Sequence, residues 1–277
     1  MASNLAEMIV SRSGDMPTGE RRAAQALLAN YPMLGLKTVA EFSARAGVSS
    51  PTILRFVSRI GFQNYAEFQT ALNDELAAQL QSPASRTGLR ALEHKGQIEP
   101  LTSATLDNIA ETFRLISPRQ IDEIVALLAD SRRRLHLIGG RFTDPIARYL
   151  CAHLQIIRPG VAHLAGQESM WRDRLLDMGK RDVAIVFDIR RYQPSLLRFA
   201  EKAHARGVSI VLITDRWLSP IARVASHVVP ARTAVPSAWD SSAALFVVAE
   251  RLIAGVTELL PEQSAARLRD MDALRDE

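Results

Sequence analysis

Thr52, Arg55 and Arg59 recur at the i, i+3, i+7 spacing that lines one side of an α-helix. Ile53, Phe56, Val57 and Ile60 fall between them as an apolar set for the opposite side. A hydroxyl near a helix start with arginines further along is chemistry for DNA, because a guanidinium bonds guanine O6 and N7 together or grips phosphate. The alternative for the same residues is an ordinary helical hairpin with solvated arginines. Four polar runs later in the chain have the chemistry to hold a small anion. They are Gly139-Gly140-Arg141-Phe142-Thr143-Asp144, Asp188-Ile189-Arg190-Arg191-Tyr192, Thr214-Asp215-Arg216-Trp217-Leu218-Ser219-Pro220, and Ser237 with Trp239-Asp240-Ser241. Their arginines offer charge-assisted bidentate bonds. The alternative is internal salt bridging among Arg141, Asp188, Arg190 and Arg191, with one arginine neutralised by Asp188. No metal site and no cofactor are expected. The histidines are scattered without ligand spacing, no P-loop is present, and Gly139-Gly140 is far short of a dinucleotide fingerprint.

The first group needs a helix, a tight turn and a second helix. Thr38 to Ala46 read as the first helix, with Val39, Phe42 and Ala46 on its buried face. Gly47 stands where the helix stops in left-handed backbone, which costs glycine little. Val48 plugs the turn. Ser50 reads as the N-cap of the second helix and Pro51 as its first residue, and the helix runs to about Ile60. Ahead of this pair, Leu5 to Ile9 begin a short helix. Pro17-Thr18 start a longer one that carries Ala23, Ala24, Ala26, Leu27 and Leu28 and ends near Asn30-Tyr31-Pro32. After it, Tyr65 to Leu80 carry Phe68, Leu72, Leu76 and Leu80 as a seam for packing within the head or for a dimer contact.

The stretch AGVSSPTILRFVSRIGFQNYAEFQ resembles the N-terminal domain of the RpiR/MurR family of bacterial transcriptional regulators. In that family a run close to S-x-x-T-x-x-R-F, then G-F, then Y/F-x-E-F, follows the turn. Here those positions are Ser49, Thr52, Arg55, Phe56, Gly61, Phe62, Tyr65 and Phe68. The resemblance implies an all-α helix-turn-helix head followed by an α/β sugar-isomerase-like (SIS) domain. The expected DNA-binding residues are Ser49, Ser50, Thr52, Arg55, Arg59, Gln63, Asn64 and Tyr65, and the expected partner is double-stranded operator DNA.

The bulk properties agree with two ordinary domains: 277 residues, 47% apolar, net charge +4 and pI about 9.6. The head is not strongly basic, because Glu41, Glu67, Asp74 and Glu75 offset many of its cations. Cys151 is the only cysteine, which rules out an intramolecular disulfide and favours an intracellular setting. MASNLAEMIV lacks the basic start and apolar core of a signal peptide, and no apolar run reaches a membrane span. The expectation is a cytoplasmic protein with no membrane partner.

Residues Gln81 to Ser103 mix Pro, Ser, Gly and charge without a sustained period and read as a linker, with a helical pattern returning at about Leu106. The expected domains are a head at 1–80, a linker at 81–110, an SIS domain at 111–265 and a tail at 266–277. Ser117-Pro118 start a helix. Apolar strands are then expected at Leu135–Ile138, Val161–Leu164, Asp182–Phe187, Val208–Thr214 and His227–Val229. Helices fall between them at Pro145–Leu154 (N-cap Asp144), Ser169–Met178, Pro194–Ala205 and a short turn from Ser219-Pro220, before a long helix at Ser241–Leu259. Strands without polar alternation, separated by helices, argue for a parallel sheet covered on both faces, with ligands at the carboxyl ends of its strands.

ITDRWLSPIARVASHVV resembles the SIS pattern, and strand-Gly-Gly-x-x-(S/T)-x-x-x-A matches through Thr143 and Ala147. The resemblance covers about Leu115 to Leu260 and implies a ligand such as a phosphorylated sugar. Two departures stand out. Arg141 occupies the position of the second loop glycine, and Asp188-Ile189-Arg190-Arg191-Tyr192-Gln193 replace the usual Ser-x-Ser-Gly-x-Thr, leaving Thr143 as the clear remnant of the hydroxyl set. The expected ligand is a small anionic metabolite, and its site residues are Gly140, Arg141, Phe142, Thr143, Asp188, Arg190, Arg191, Tyr192, Asp240 and Ser241. The other function class is a sugar-phosphate isomerase, for which Glu168 is the nominated base and His163 or His153 a partner. No catalytic residue is expected in the regulator reading. A homodimer or homotetramer is expected, because one head covers one half-site, with the SIS helices, especially Ser241 to Leu259 and its Ala-rich face, as the dimer surface.

Overall fold

The computed structural model describes residues 5–12, 16–80 and 99–275, and it divides into two compact units, Met1–Ser82 and Pro83–Glu277. The first unit is all-α: α1 (Leu5–Arg12), α2 (Thr18–Ala29), α3 (Val39–Ala46), α4 (Ser50–Arg59) and α5 (Tyr65–Leu80). Ile9, Leu27, Phe42, Ile53, Phe56, Ile60, Phe68 and Leu72 are fully enclosed, and each such side chain contributes about 1.5–3 kcal/mol. Phe68 and Leu72 of the expected α5 seam therefore pack within the head. The side chain of Leu80 lies outside the described residues.

The turn between α3 and α4 is held from both ends. Thr38 is not the first helical residue but the N-cap of α3. Its hydroxyl accepts from Glu41 N at 3.2 Å, while the Glu41 carboxylate accepts from Thr38 N at 3.0 Å. Gly47 closes α3 in left-handed backbone at φ 63°. The N-cap of α4 is Ser49 rather than Ser50, so Pro51 occupies the second helical position, where its missing N–H is still harmless. Tyr65 Oη lies 3.1 Å from Gly35 O and 2.9 Å from Lys37 O, which ties the start of α5 to the segment before α3.

The second unit is α/β. Its strands β1 (Arg134–Gly139), β2 (Val161–His163), β3 (Asp182–Asp188), β4 (Ser209–Asp215) and β5 (His227–Ala231) form one parallel sheet in the order β2-β1-β3-β4-β5. Helices α6 (Glu99–Leu115), α7 (Pro118–Ala129), α8 (Asp144–Ile157) and α11 (Ala243–Leu259) cover one face. α9 (Glu168–Leu175), α10 (Pro194–Ala205) and a 3₁₀ turn at Pro220–Arg223 cover the other. All seven residues of β3 are buried, as a central strand with helices on both sides requires.

Several expectations need correction. The linker reading ends too late: α6 begins at Glu99, and residues 81–98 fall outside the described residues. Residues 266–275 belong to a helix, α12 (Pro261–Arg275), whose Arg267 donates to Ile156 O and Gln155 O of α8. Asp144 is inside α8, and Thr143 precedes it as the N-cap without a side-chain cap bond. Ala244 and Ala249 of the Ala-rich face of α11 are not free for a second copy. Ala244, Val248, Ala249, Leu252, Gly255 and Val256 are buried among α6, α7 and α8, and a Cβ added to Gly255 would lie 2.7 Å from Val125 Cγ2. Arg158 was not foreseen at all. Its guanidinium is fully buried and donates to Leu128 O at 2.6 Å, Asp130 O at 2.9 Å, Pro159 O at 3.0 Å and Arg133 O. Burial pushes its pKa down.

Candidate functional site

On the head, α4 exposes Arg55 to solvent. Ser49 Oγ and Thr52 Oγ1 share a hydrogen bond at 2.9 Å, and Arg55 Nη2 donates to Thr52 Oγ1 at 3.1 Å, so the three form a short polar chain along the helix start. Arg59 is held differently. Its Nε donates to the Glu20 carboxylate of α2, whose side chain is only 4% exposed, and its own carbonyl accepts from Arg12 Nη1 at 2.8 Å. Gly19 comes so close to α4 that an added Cβ would lie 3.1 Å from Thr52 Cγ2. One flank of the expected Thr52–Arg55–Arg59 stripe therefore adjoins α2, with the Arg59 side chain 46% exposed.

The other expected head residues have local duties. Ser50 Oγ lies 3.3 Å from Ser43 Oγ. Asn64 Oδ1 accepts from Glu67 N at 2.8 Å, and the Glu67 carboxylate accepts from Gln63 N at 2.7 Å, a reciprocal cap on α5. Burial, then the nearby Glu41 charge, pushes the Tyr65 phenol up to about 12.

In the second unit, the loops at the carboxyl edge of the sheet converge as expected but divide into two environments. One is a packed network. Arg190 makes a two-pronged ion pair with Asp240, through Nε at 3.0 Å and through Nη2, and its guanidinium stacks 4.7 Å from the Trp217 ring centroid. The arginine neutraliser is thus Asp240, not Asp188. Asp215 is fully buried and accepts from Arg190 N at 2.6 Å, Tyr192 Oη at 2.7 Å and Trp217 N at 3.1 Å. Burial raises its pKa despite those donors.

Asp188 is also buried, accepting from Ser219 Oγ at 2.6 Å and Gln193 N at 3.3 Å. Burial, reinforced by the Asp215 charge, pushes it up to about 6. Thr143, the remnant hydroxyl, is committed too. It donates to Phe187 O at 2.6 Å and accepts from Gly140 N at 2.9 Å. Nor does α8 present the free N–H groups that its glycine loop suggests. Thr143 N and Asp144 N donate to Gly140 O, Ile146 N and Ala147 N donate to Thr143 O, and Pro145 has none.

The other environment is a cleft of about 300 Å³, lined by Gly139, Gly140, Arg141, Asp144, Arg148, Leu164, Ala165, Gly166, Trp171 and Gln193. Of the ten expected effector residues, Gly140 and Arg141 line it. Arg191 is exposed with φ 67°, Ser241 N donates to Thr233 O, and Phe142 and Trp239, each 55% exposed, meet edge-to-face at 5.6 Å. Arg148, Trp171 and Gln193 were missed. The signal for Arg148 was its i+4 spacing from Asp144, to which it donates at 2.8 Å. Asp144 also lies 2.7 Å from His163 Nε2. Arg141 rests 5.3 Å from the Phe142 ring centroid and has no carboxylate partner among the described residues. Trp171 Nε1 is buried without a hydrogen-bond partner among the described residues.

Glu168, the nominated base of the isomerase reading, instead accepts from Arg198 at 2.8 Å and Arg172 at 3.5 Å, and the Arg198 bond holds its carboxyl below the usual range. It lines a smaller cleft of about 170 Å³ between α9 and α10.

Comparison with known proteins bears on both units. The chain is 27% identical over 228 residues to the HTH-type transcriptional regulator HexR of Pseudomonas aeruginosa, covering 80% of this chain and 77% of that one. A crystal structure of the sugar isomerase domain of an RpiR transcription factor from Sphaerobacter thermophilus matches 62% of this chain and 96% of its own, with TM-score 0.57 and 26% identity. The Vibrio vulnificus NanR protein complexed with ManNAc-6P matches 99% of this chain and 98% of its own, with TM-score 0.58 and 17% identity, a likeness of fold. No helix among the described residues is long and apolar enough to cross a membrane. Residues 3–79 match the rpiR-family helix-turn-helix domain and residues 127–254 the SIS domain, and the chain belongs to the RpiR family of transcriptional regulators.

Proposed function

We propose that the head binds double-stranded operator DNA through α4, as a homodimer or homotetramer, and that a small anionic metabolite in the 300 Å³ cleft alters that binding. The observation that carries the DNA half is Arg55, exposed on a helix whose opposite side is wholly buried. Ser49 and Thr52 orient it. The effector half rests on the cleft's cations. Arg148 is tied to Asp144 through Nε, whereas Arg141 has no carboxylate partner among the described residues and is the cation freest to meet an anion, with the Gln193 amide and Trp171 indole lining the same cleft. A phosphate there meets side chains rather than a ring of backbone N–H groups, because Thr143 and the α8 start are already bonded. A sugar phosphate or a sugar-derived carboxylate fits this chemistry, and NanR, of the same fold, is complexed with ManNAc-6P. The regulator reading is favoured over an isomerase because a base serving near neutral pH works best with its pKa raised towards 7, whereas that of Glu168 is lowered.

Fluorescence anisotropy with the DNA upstream of the protein's own gene, alongside calorimetry with sugar phosphates and carboxylates, tests both halves. Arg55→Ala is expected to weaken specific binding by roughly 1–3 kcal/mol where it reads a base. Where it grips phosphate, the loss is equal on all sequences and the salt slope falls by about one. Unchanged DNA affinity in Arg55→Ala refutes the first half, and unchanged effector affinity in Arg141→Ala refutes the second.

A further inference from the structure

The outward side of α4 is wider than the Thr52–Arg55–Arg59 stripe. Successive residues turn by about 100°, and the buried Ile53, Phe56, Val57 and Ile60 define the inward direction. Pro51, Arg55 and Ser58 then face most directly outward, with Leu54 on one flank and Thr52 and Arg59 on the other. On the second flank α2 packs against Thr52 through Gly19 and pairs with Arg59 through Glu20, though the Arg59 side chain stays 46% exposed. The first flank is open: Pro51, Leu54, Arg55 and Ser58 are all exposed. Leu54 is 48% exposed, and the core beneath α4 is complete without it.

We propose that Leu54 is a specificity-determining residue of this face, meeting the 5-methyl group of a thymine next to the position that Arg55 contacts. This rests on the DNA-binding reading above. An exposed leucine is ordinary on a protein surface. This one adjoins Arg55 on the second helix of a helix-turn-helix, the element that enters the major groove. The thymine methyl is the apolar group on that groove's edge, and apolar side chains read it by excluding water. A leucine and an arginine at consecutive positions then specify different features of neighbouring base pairs, one by contact area and one by hydrogen bonding.

The test uses full-length protein and a duplex that it selects from a random-sequence library, with each thymine replaced in turn by uracil, which lacks only the methyl group. The wild-type protein should lose affinity by about four-fold at one position per half-site, the effect of one buried methyl. Leu54→Ala, a surface change that leaves the core intact, should bind the parent duplex more weakly and be indifferent to uracil at that position. Wild-type protein indifferent to every uracil overturns the proposal, as does Leu54→Ala retaining the full uracil penalty. Failure to select any duplex overturns the DNA-binding reading and this proposal with it, so the two failures are told apart.

Discussion

Replacing Asp188 with Asn should stabilise the second unit at pH 8 and destabilise it at pH 4. The carboxyl is 2% exposed, and its pKa is raised from 3.8 to about 6, chiefly by burial. A raised folded pKa favours the protonated form, so its stabilising effect is full below pH 3.8 and is lost as pH rises through about 6. Above that range the ionised carboxylate costs the fold roughly 3 kcal/mol, at about 1.36 kcal/mol for each pH unit. Asparagine removes that cost. Its carbonyl can still accept from Ser219 Oγ, but its amide cannot accept from Gln193 N, which forfeits one hydrogen bond worth about 1 kcal/mol. The variant should therefore be about 2 kcal/mol more stable at pH 8 and about 1 kcal/mol less stable at pH 3.5, crossing between about pH 4 and 5. Urea unfolding followed by tryptophan emission isolates this unit, since Trp171, Trp217 and Trp239 all lie in it. A stability difference that does not change with pH, or a loss at pH 8, would refute the claim that Asp188 is a strained buried carboxylate.

Arg59→Ala should act on the head's stability more than on DNA sequence preference. It strands the buried Glu20 carboxylate at a cost of roughly 1–3 kcal/mol, and Glu20→Gln in the same chain should recover part of the loss in denaturation measured by circular dichroism. Arg190→Ala is expected to lower the melting temperature of the second unit while leaving effector affinity close to wild type, because it removes the two-pronged ion pair with Asp240, which lies outside the cleft. Arg141→Ala should do the reverse, which calorimetry and thermal melts on the same samples would show. Arg158→Met should cost about 3 kcal/mol or more, since it strips donors from the buried carbonyl of Leu128 and from the part-buried carbonyls of Asp130 and Arg133. A melting temperature equal to wild type would contradict that account.

The elements of both units were legible in the amino-acid order because their determinants are local. Apolar residues at helical spacing put Ile53, Phe56, Val57 and Ile60 in the core, Gly47 marked the left-handed stop, and unbroken apolar runs marked β3 and β4 as buried parallel strands. Helix boundaries slipped by a residue or two where Ser49 and Ser50, or Thr143 and Asp144, compete for one cap. The availability of each charged group was not legible. Arg59 and Glu20 are 39 residues apart, Arg190 and Asp240 are 50 apart, and Thr143 reaches a carbonyl 44 residues away. Periodicity says which side of a helix a residue occupies, but nothing in it says which distant element will pack there. Only the folded chain, by bringing α2 against one flank of α4 and Asp240 against Arg190, separated the arginines that hold the protein together from those left to meet a ligand.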